Sequence, residues 1–374
     1  MTSRRLSAAL EGCRIVLTVD RRAVEIAAAL ERHGATVSRT PALTIVPHAD
    51  DESLISRTRE LIDAPPHIVV VTTGIGFRAW VEAAEEAGLA ADLEQALVGA
   101  RIVARGAKAS GAVQQLGLSV AWVPESETAS DLGARLVAEG IDGRRIAVQH
   151  HGSGADGLDE LFASHGADVV SLTMYRWGPP TDPEAVRASA LAAAVGSVDA
   201  VLFTSAPGAF GWLAAADACG ATDRIRKRAE RGHLLLATVG PTTAGPLRER
   251  DIRTAVAERG RLGSLLRGVV VQLGDGAPRL ATPRGSLSVR STGAVIGDRY
   301  VPLSPSGVAL LRELFDARGA IVAREQLRSA LPGSGGNAHA IEMTIARLRE
   351  SLGAPDLIRT VVKRGYQLAL KETT

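Results

Sequence analysis

The chain has 374 residues, 46% of them apolar and 3% aromatic; this is too long for one ordinary core and too apolar for disorder, so two or three packed domains are expected. The net charge of +2 conceals an asymmetry: residues 279–374 carry +6 and the remainder −4, which predicts that the C-terminal part meets a polyanion. Cys13 and Cys219 stand far apart without CxxC spacing, which argues against a disulfide scaffold or thiolate metal site, and no apolar run approaches the ~20 residues of a membrane span. The opening MTSRRLSAALEG lacks a signal-peptide core, so a cytoplasmic protein with no membrane partner is expected.

In chain order, CRIVLTVD (13–20) predicts a buried strand. RAVEIAAALERHG then has apolar positions at helical spacing and a glycine stop. HIVVVTTG (67–74) is a second buried strand, running into the phrase TTGIGFRAW (72–80). ARGAKASGAV (104–113) follows another short apolar run. The same grammar then restarts. RRIAVQHH (144–151) echoes the first strand, and ASHGADV (163–169) echoes ERHGATV (31–37). DAVLFTSA (199–206) opens TSAPGAFGW (204–212), and TVGPTTAGPL (238–247) echoes ARGAKASGAV. Offsets of about 130–134 in unchanged order predict a duplicated architecture. Alternating strands and helices predict an α/β fold with parallel sheets covered on both faces, with ligands beyond the carboxyl ends of the strands.

The repeated phrase lies at those ends. A strand stops at two hydroxyl residues, passes a glycine and enters a helix. Glycine admits close backbone approach, and the helix start offers unpaired N–H groups. Thr72, Thr73 and Gly74 in one turn, and Thr204, Ser205 and Gly208 in the other, are candidate anion-binding residues facing across a cleft. A βα turn needing only a small residue and a hydroxyl cap accounts for the same letters. HHGSGADG (150–157) has the form of a dinucleotide fingerprint. The strand after it ends in Thr173 and Tyr175, not in the acidic residue a ribose needs, which argues against nucleotide. His150 and His151 read as solvated loop histidines rather than metal or haem ligands.

From about residue 280 the pattern changes. SLSVRSTGAVIGDRYVPLS predicts small antiparallel strands. LSPSGVALLRELFDARGAIV predicts a helix capped by Ser304, with Pro305 in its first turn and Gly319 as its stop. AREQLRSALPG and NAHAIEMTIARLRESLG are two further helices. In the last, Ile341, Ile345, Leu348 and Leu352 share one face, with His339, Met343, Ala346 and Glu350 opposite, flanked by Glu342 and Arg347. LIRTVVKRGYQLAL adds two strands around a basic turn. This is a winged helix in outline, with the third helix entering the major groove. His339, Glu342, Met343, Arg347, Arg349, Thr360, Lys363 and Arg364 are its candidate DNA-binding residues. The other account of these charges is a solvated face on a protein-binding module.

Residues 12–275 resemble uroporphyrinogen-III synthase. The likeness rests on Tyr175 in LTMYRW, Ser205 and Gly208 in FTSAPG, and Gly240, Pro241, Thr242 and Thr243 in VGPTTA. The resemblance implies two lobes, one of residues 12–40 and 178–275 and the other of 47–172. A ladder of TPALTIVP (40–47) and SLTMYRWGPP (171–180) would join them. It implies closure of hydroxymethylbilane to uroporphyrinogen III with ring inversion and loss of water, without metal or cofactor. Thr72, Thr73, Gly74, Lys108, Thr204, Ser205, Gly208, Gly240, Thr242 and Thr243 would hold the polycarboxylate, and Tyr175 would be the mild catalytic acid. Lys108 stands where the family has a hydroxyl.

Residues 280–371 resemble the DNA-binding domain of OmpR/PhoB-type response regulators, through LSPSGVALLRELFDARGAIVAREQL, IEMTIARLRESLG and IRTVVKRGYQL in that order. The combination resembles actinobacterial orphan regulators of nitrate and nitrite assimilation. It implies promoter DNA, a small anionic or tetrapyrrole-like ligand, and pairing on DNA with a second copy or another regulator. The alternative reading is an active synthase with an appended regulatory domain. A dinucleotide-dependent enzyme comes third.

Overall fold

The computed structural model describes the chain except residues 1–5, 21, 48–51, 151–155, 174, 259, 332–337 and 372–374, and the side chains of 45–47, 175–177 and 338–339. The first repeat runs β1 (Arg14–Leu17), α1 (Ala23–Glu31), β2 (Thr36–Arg39), β3 (Thr44–Pro47), α2 (Glu52–Asp63), β4 (Ile68–Val71), α3 (Gly74–Glu86), α4 (Ala90–Val98), β5 (Arg101–Ala104), α5 (Ala107–Gln115) and α6 (Ala129–Glu139). The second runs β6 (Arg145–His150), α7 (Leu158–Ser164), β7 (Asp168–Thr173), β8 (Tyr175–Gly178), α8 (Pro183–Val195), β9 (Ala200–Phe203), α9 (Ala206–Ala218), α10 (Thr222–Glu230), β10 (Leu235–Thr238), α11 (Pro241–Arg248), β11 (Ala255–Val256) and α12 (Leu262–Leu273). The correspondence is element by element, apart from the short edge strand β11.

Each parallel sheet mixes the repeats. One has the order β11-β10-β9-β1-β2 and the other β5-β4-β6-β7. Replace each strand by its counterpart and the order 10-9-1-2 becomes 5-4-6-7. So the first half of one repeat completes the second half of the other in both sheets. The counterpart strands β3 and β8 pair with each other in a two-stranded sheet.

The inner strands show why the letters demand this. IVVV of β4 and AVLF of β9 are buried along their whole length. Each has parallel neighbours on both edges. Separate apolar clusters cover the two faces of each sheet. Such strands are stable only when sheathed in this way.

The tryptophan that ends each repeated phrase has a structural task. Trp80 and Trp212 are fully buried. The Trp80 Nε1–H donates to Thr58 Oγ1 on α2 at 3.0 Å, and the Trp212 Nε1–H donates to Ser189 Oγ on α8 at 2.9 Å. Each pins its helix to the preceding one through a hydroxyl at the equivalent place. Each also meets a phenylalanine edge-on, Phe77 at 6.1 Å and Phe203 at 5.6 Å.

The remaining chain forms an antiparallel sheet, β12 (Leu280–Thr282), β13 (Gly285–Arg290), β14 (Gly293–Ile296) and β15 (Arg299–Pro302). Then come α13 (Pro305–Asp316), α14 (Arg324–Ala330), α15 (Ala338–Leu352) and the hairpin β16 (Ile358–Val361) and β17 (Gly365–Leu368). One core joins them. The chain divides into two compact units, Ile45–Gly178 and Met1–Thr44 with Pro179–Thr374. The second unit therefore holds both the five-stranded lobe and the C-terminal module.

Trp80→Phe and Trp212→Phe each delete a buried hydrogen bond and leave a small void. Each is expected to cost about 1–3 kcal/mol in urea denaturation. The two losses should add, because the residues lie in different cores.

Candidate ligand turns and nucleic-acid interface

Both copies of the phrase begin with a hydroxyl N-cap. Thr73 Oγ1 accepts from the Gly76 N–H at 3.1 Å, and Ser205 Oγ from the Gly208 N–H at 3.2 Å. A Cβ on Gly76, three residues after the Thr73 cap, would lie 2.1 Å from Gln149 Nε2 and 2.7 Å from the capping hydroxyl, so a side chain there would displace the Gln149 amide and disturb the cap. Gly74 is needed for a different reason. A Cβ there would lie 2.3 Å from the Lys108 carbonyl oxygen, so Gly74 lets α3 press against α5. The Thr72 hydroxyl donates across the sheet to the Gln149 carbonyl at 2.8 Å. Thr204 is half-buried, and its hydroxyl makes no hydrogen bond among the described residues.

The second turn of each lobe differs between the copies. In α11, Gly240 precedes Pro241, Thr242 is exposed and Thr243 is buried; no side chain caps the helix start. In α5 a carboxylate sits at that place. Glu127 Oε1 accepts from the Ala107 N–H at 3.3 Å, and its carboxyl carbon lies 3.2 Å from where a Gly106 Cβ would be. Glu127 holds a left-handed backbone with φ 53° to do this. The Lys108 side chain is exposed on the same helix. Glu127 belongs to no motif, and only the fold brings it to α5. Tyr175 opens β8, and its side chain lies outside the described residues.

His150 corrects the expectation of a solvated loop histidine. It is fully buried at the end of β6, with Asp156 Oδ2 3.2 Å from Nδ1 and Asp159 Oδ1 2.8 Å from Nε2. Burial draws its pKa down, but the two carboxylates outweigh burial and hold it at about 9. Burial likewise raises the Asp156 pKa, and the bond to His150 overturns this and lowers it. The first half of the Gly-rich segment beside it, including His151, lies outside the described residues.

The C-terminal module presents an exposed face of mixed character, with cations beside apolar residues. Ser304 Oγ caps α13 by accepting from the Gly307 N–H at 3.1 Å. On α15, Ile341, Ile345, Leu348 and Leu352 are buried, while Glu342, Met343, Ala346, Arg347 and Glu350 are exposed. His339 lies in the first turn of α15; its side chain is outside the described residues. Val362, Lys363 and Arg364 project from the β16–β17 turn, all exposed. Arg347, Lys363 and Arg364 form no ion pair among the described residues, whereas Glu342 faces Arg324 at 3.4 Å. Arg349 is employed internally. Its Nε and Nη2 donate to the Ile358 carbonyl at 2.9 and 2.6 Å, and Nη2 also to Thr360 Oγ1 at 2.9 Å. It ties the wing to the third helix.

A two-lobed α/β body with exchanged half-repeats, followed by a winged helix, defines a synthase-like protein with a DNA-binding regulatory domain. The chain belongs to the uroporphyrinogen-III synthase HemD family, whose model matches residues 24–267. Residues 297–368 match the family described as transcriptional regulatory protein, C terminal. A mutant uroporphyrinogen III synthase from Thermus thermophilus is similar at 28% identity and a TM-score of 0.57, covering 70% of this chain and 99% of that one. YjjA of Bacillus subtilis, described as uncharacterized, is 29% identical over 258 residues, 69% of this chain and 94% of that protein. The Klebsiella pneumoniae RstA DNA-binding domain, solved in complex with the RstA box, is 26% identical over 24% of this chain and 96% of that one, with a TM-score of 0.22. No described helix is long and apolar enough to cross a membrane.

The His150 cluster predicts a pH window. A histidine whose folded pKa exceeds its unfolded value of ~6.5 stabilises fully below that value and loses the contribution as pH rises towards ~9. The lowered Asp156 contributes above its unfolded value of ~3.8 and fails as pH falls. The wild type is therefore expected to lose about 1–3 kcal/mol between pH 6.5 and 9 in denaturant titrations. His150→Asn should be weaker at pH 6 and nearly flat across that interval.

Proposed function

We propose that this chain is a transcriptional regulator in which the synthase-like body senses a small anionic or tetrapyrrole-like ligand and the winged helix reads promoter DNA of nitrate and nitrite assimilation genes. The observation that carries the DNA half is the exposed cationic set Arg347, Lys363 and Arg364 on the helix and wing, with the neighbouring apolar face of α15 buried. Cations that form no ion pair among the described residues suit phosphate neutralisation. Glu342 and Met343, exposed on the same helix, are the candidates for base contacts, and Arg349 with Thr360 holds the wing in register. The link to nitrite is chemical: uroporphyrinogen III leads to sirohaem, the cofactor of assimilatory nitrite reductase.

The body supports ligand sensing through its turns. Thr73 and Ser205 cap helix starts whose first amides are candidates for carboxylate groups, with Thr204, Gly240, Thr242 and Thr243 adding hydroxyl and backbone donors. Glu127 at the α5 start, beside Lys108, favours a ligand with fewer carboxylates than the family substrate, because like charges exclude one another there. That weighs towards sensing over cyclisation. Tyr175 is the acid the alternative reading would need. A coupled assay that returns type III product from hydroxymethylbilane would reinstate the active synthase. Titration of the whole protein with nitrate, nitrite and tetrapyrroles beside a promoter-shift assay tests the sensor.

Replacing Arg347, Lys363 and Arg364 by alanine should weaken promoter binding and flatten its salt dependence, by about 0.9 in the log–log slope for each phosphate no longer neutralised. An unchanged slope would remove the assigned interface. Arg349→Met is expected to weaken binding differently. It frees the wing, so affinity should fall several-fold while the slope stays near that of the wild type, as read by fluorescence anisotropy over a salt series.

A further inference from the structure

A cavity of ≈ 580 Å³ lies at the junction of the five-stranded lobe and the winged-helix module, within one compact unit. The lobe contributes Cys13, Asp199 and His233, and the module contributes Ser288, Arg290 and Arg312. Two of its arginines keep buried donors without a partner. Arg312, on α13, is 8% exposed, and its Nε and Nη2 are buried with no hydrogen-bond partner. Arg290 gives its Nη atoms to the carbonyls of Glu11 and Ala9, and its Nε is also unpaired. A third guanidinium, Arg228 on α10, lies outside the lining itself; it donates from Nη2 to the His233 carbonyl at 3.2 Å and leaves Nε unpaired. Burial, and next the charge of Arg312, holds the Arg228 pKa down to about 10, so the two cations repel.

The acidic groups nearby are otherwise engaged. Asp316 is bound to His233 Nε2 at 2.8 Å. The Asp199 carboxylate accepts from the backbone N–H of Arg14 and of Ser291, both at 2.8 Å, and from the Ser291 hydroxyl. It forms no ion pair with Arg312 among the described residues. Burial pushes the Asp199 carboxyl up, although its hydrogen bonds and the charge of Arg312 act the other way, so Asp199 offsets that charge through space without bonding it. Glu230 and Arg231 at the rim are exposed and opposite in sign. Water could fill the unmade hydrogen bonds. An anion would fill them and also relieve the repulsion.

We propose that this junction cavity is a binding site for a small oxyanion, held by the guanidinium of Arg312 with Arg290, and separate from the turns of the synthase-like body. The volume admits an organic carboxylate or phosphate as well as an inorganic ion, since one water occupies ~30 Å³. The bound anion would sit between α13 of the winged helix and the lobe segment 229–236, which lines the same cavity. It would thereby stabilise the docked arrangement in proportion to its occupancy.

The test is a melting series of the full-length protein with chloride exchanged for phosphate, nitrate or citrate at constant ionic strength. At least one should raise the melting temperature saturably. Citrate alone would mark an organic carboxylate, and phosphate or nitrate an inorganic ion. Arg312→Met should match or exceed the wild type in chloride, because it removes an unpaired buried charge, and should bind the active anion at least tenfold more weakly. A purely structural arginine would instead lose stability in every buffer and leave the response intact. If Arg312→Met does not fold, Arg312→Gln is read in the same way. No response in the wild type, or an equal response in the variant, would overturn the proposal. So would loss of the response in Ser205→Ala with Thr242→Ala, which would move the anion to the body's turns.

Discussion

A parallel strand pair such as β4–β5 has two apolar faces and an open edge, and it persists only when another strand meets that edge and helices cover both faces. This chain meets the requirement by exchange. β6 and β7 of the second repeat complete β4 and β5 of the first, while β1 and β2 complete β9 and β10. Neither repeat is a folding unit by itself. The rest of the body follows from this, including the β3–β8 pairing, the matching tryptophan anchors and the turns that cap the central strands.

The repeated phrase serves that architecture first. Its hydroxyl caps a helix, its glycine admits a neighbour, and its tryptophan locks the helix to the one before it. Ligand binding would use what remains, namely the amides at the helix start and the half-buried Thr204. The two second turns show how equivalent scaffolds diverge. One presents Thr242 at an uncapped helix start, and the other is closed by an internal carboxylate from Glu127.

Much of this was legible from letters. Buried runs such as IVVV and AVLF, caps at Ser205 and Ser304, and the apolar face of α15 are local signals, each readable within a turn or a strand. The duplication was legible because it repeats those signals in order. What the sequence withheld is long-range and polar. Nothing near Glu127 indicates that it reaches the start of α5, twenty residues back. Arg349 looks like another DNA-facing cation until its bonds to Ile358 and Thr360 are seen. His150 reads as a loop histidine because Asp156 and Asp159 follow it at no motif spacing. Arg312 lies in a helix of ordinary amphipathic pattern, and only the packed lobe makes its charge conspicuous.

The β13–β14 corner carries a consequence for how the molecule can be handled. Arg290 and Thr292 bond the carbonyls of Ala9, Glu11 and Gly12, and Ser291 shares the Asp199 carboxylate with the Arg14 amide. A Cβ on Gly12 would strike the Tyr300 ring at 2.1 Å, so the fit there is tight. A fragment starting near residue 280 would expose this corner, with its arginines bare and its hydroxyls facing solvent. The boundary at which the sequence pattern changes is therefore a seam, and scissors applied there would produce two sticky surfaces rather than two clean parts.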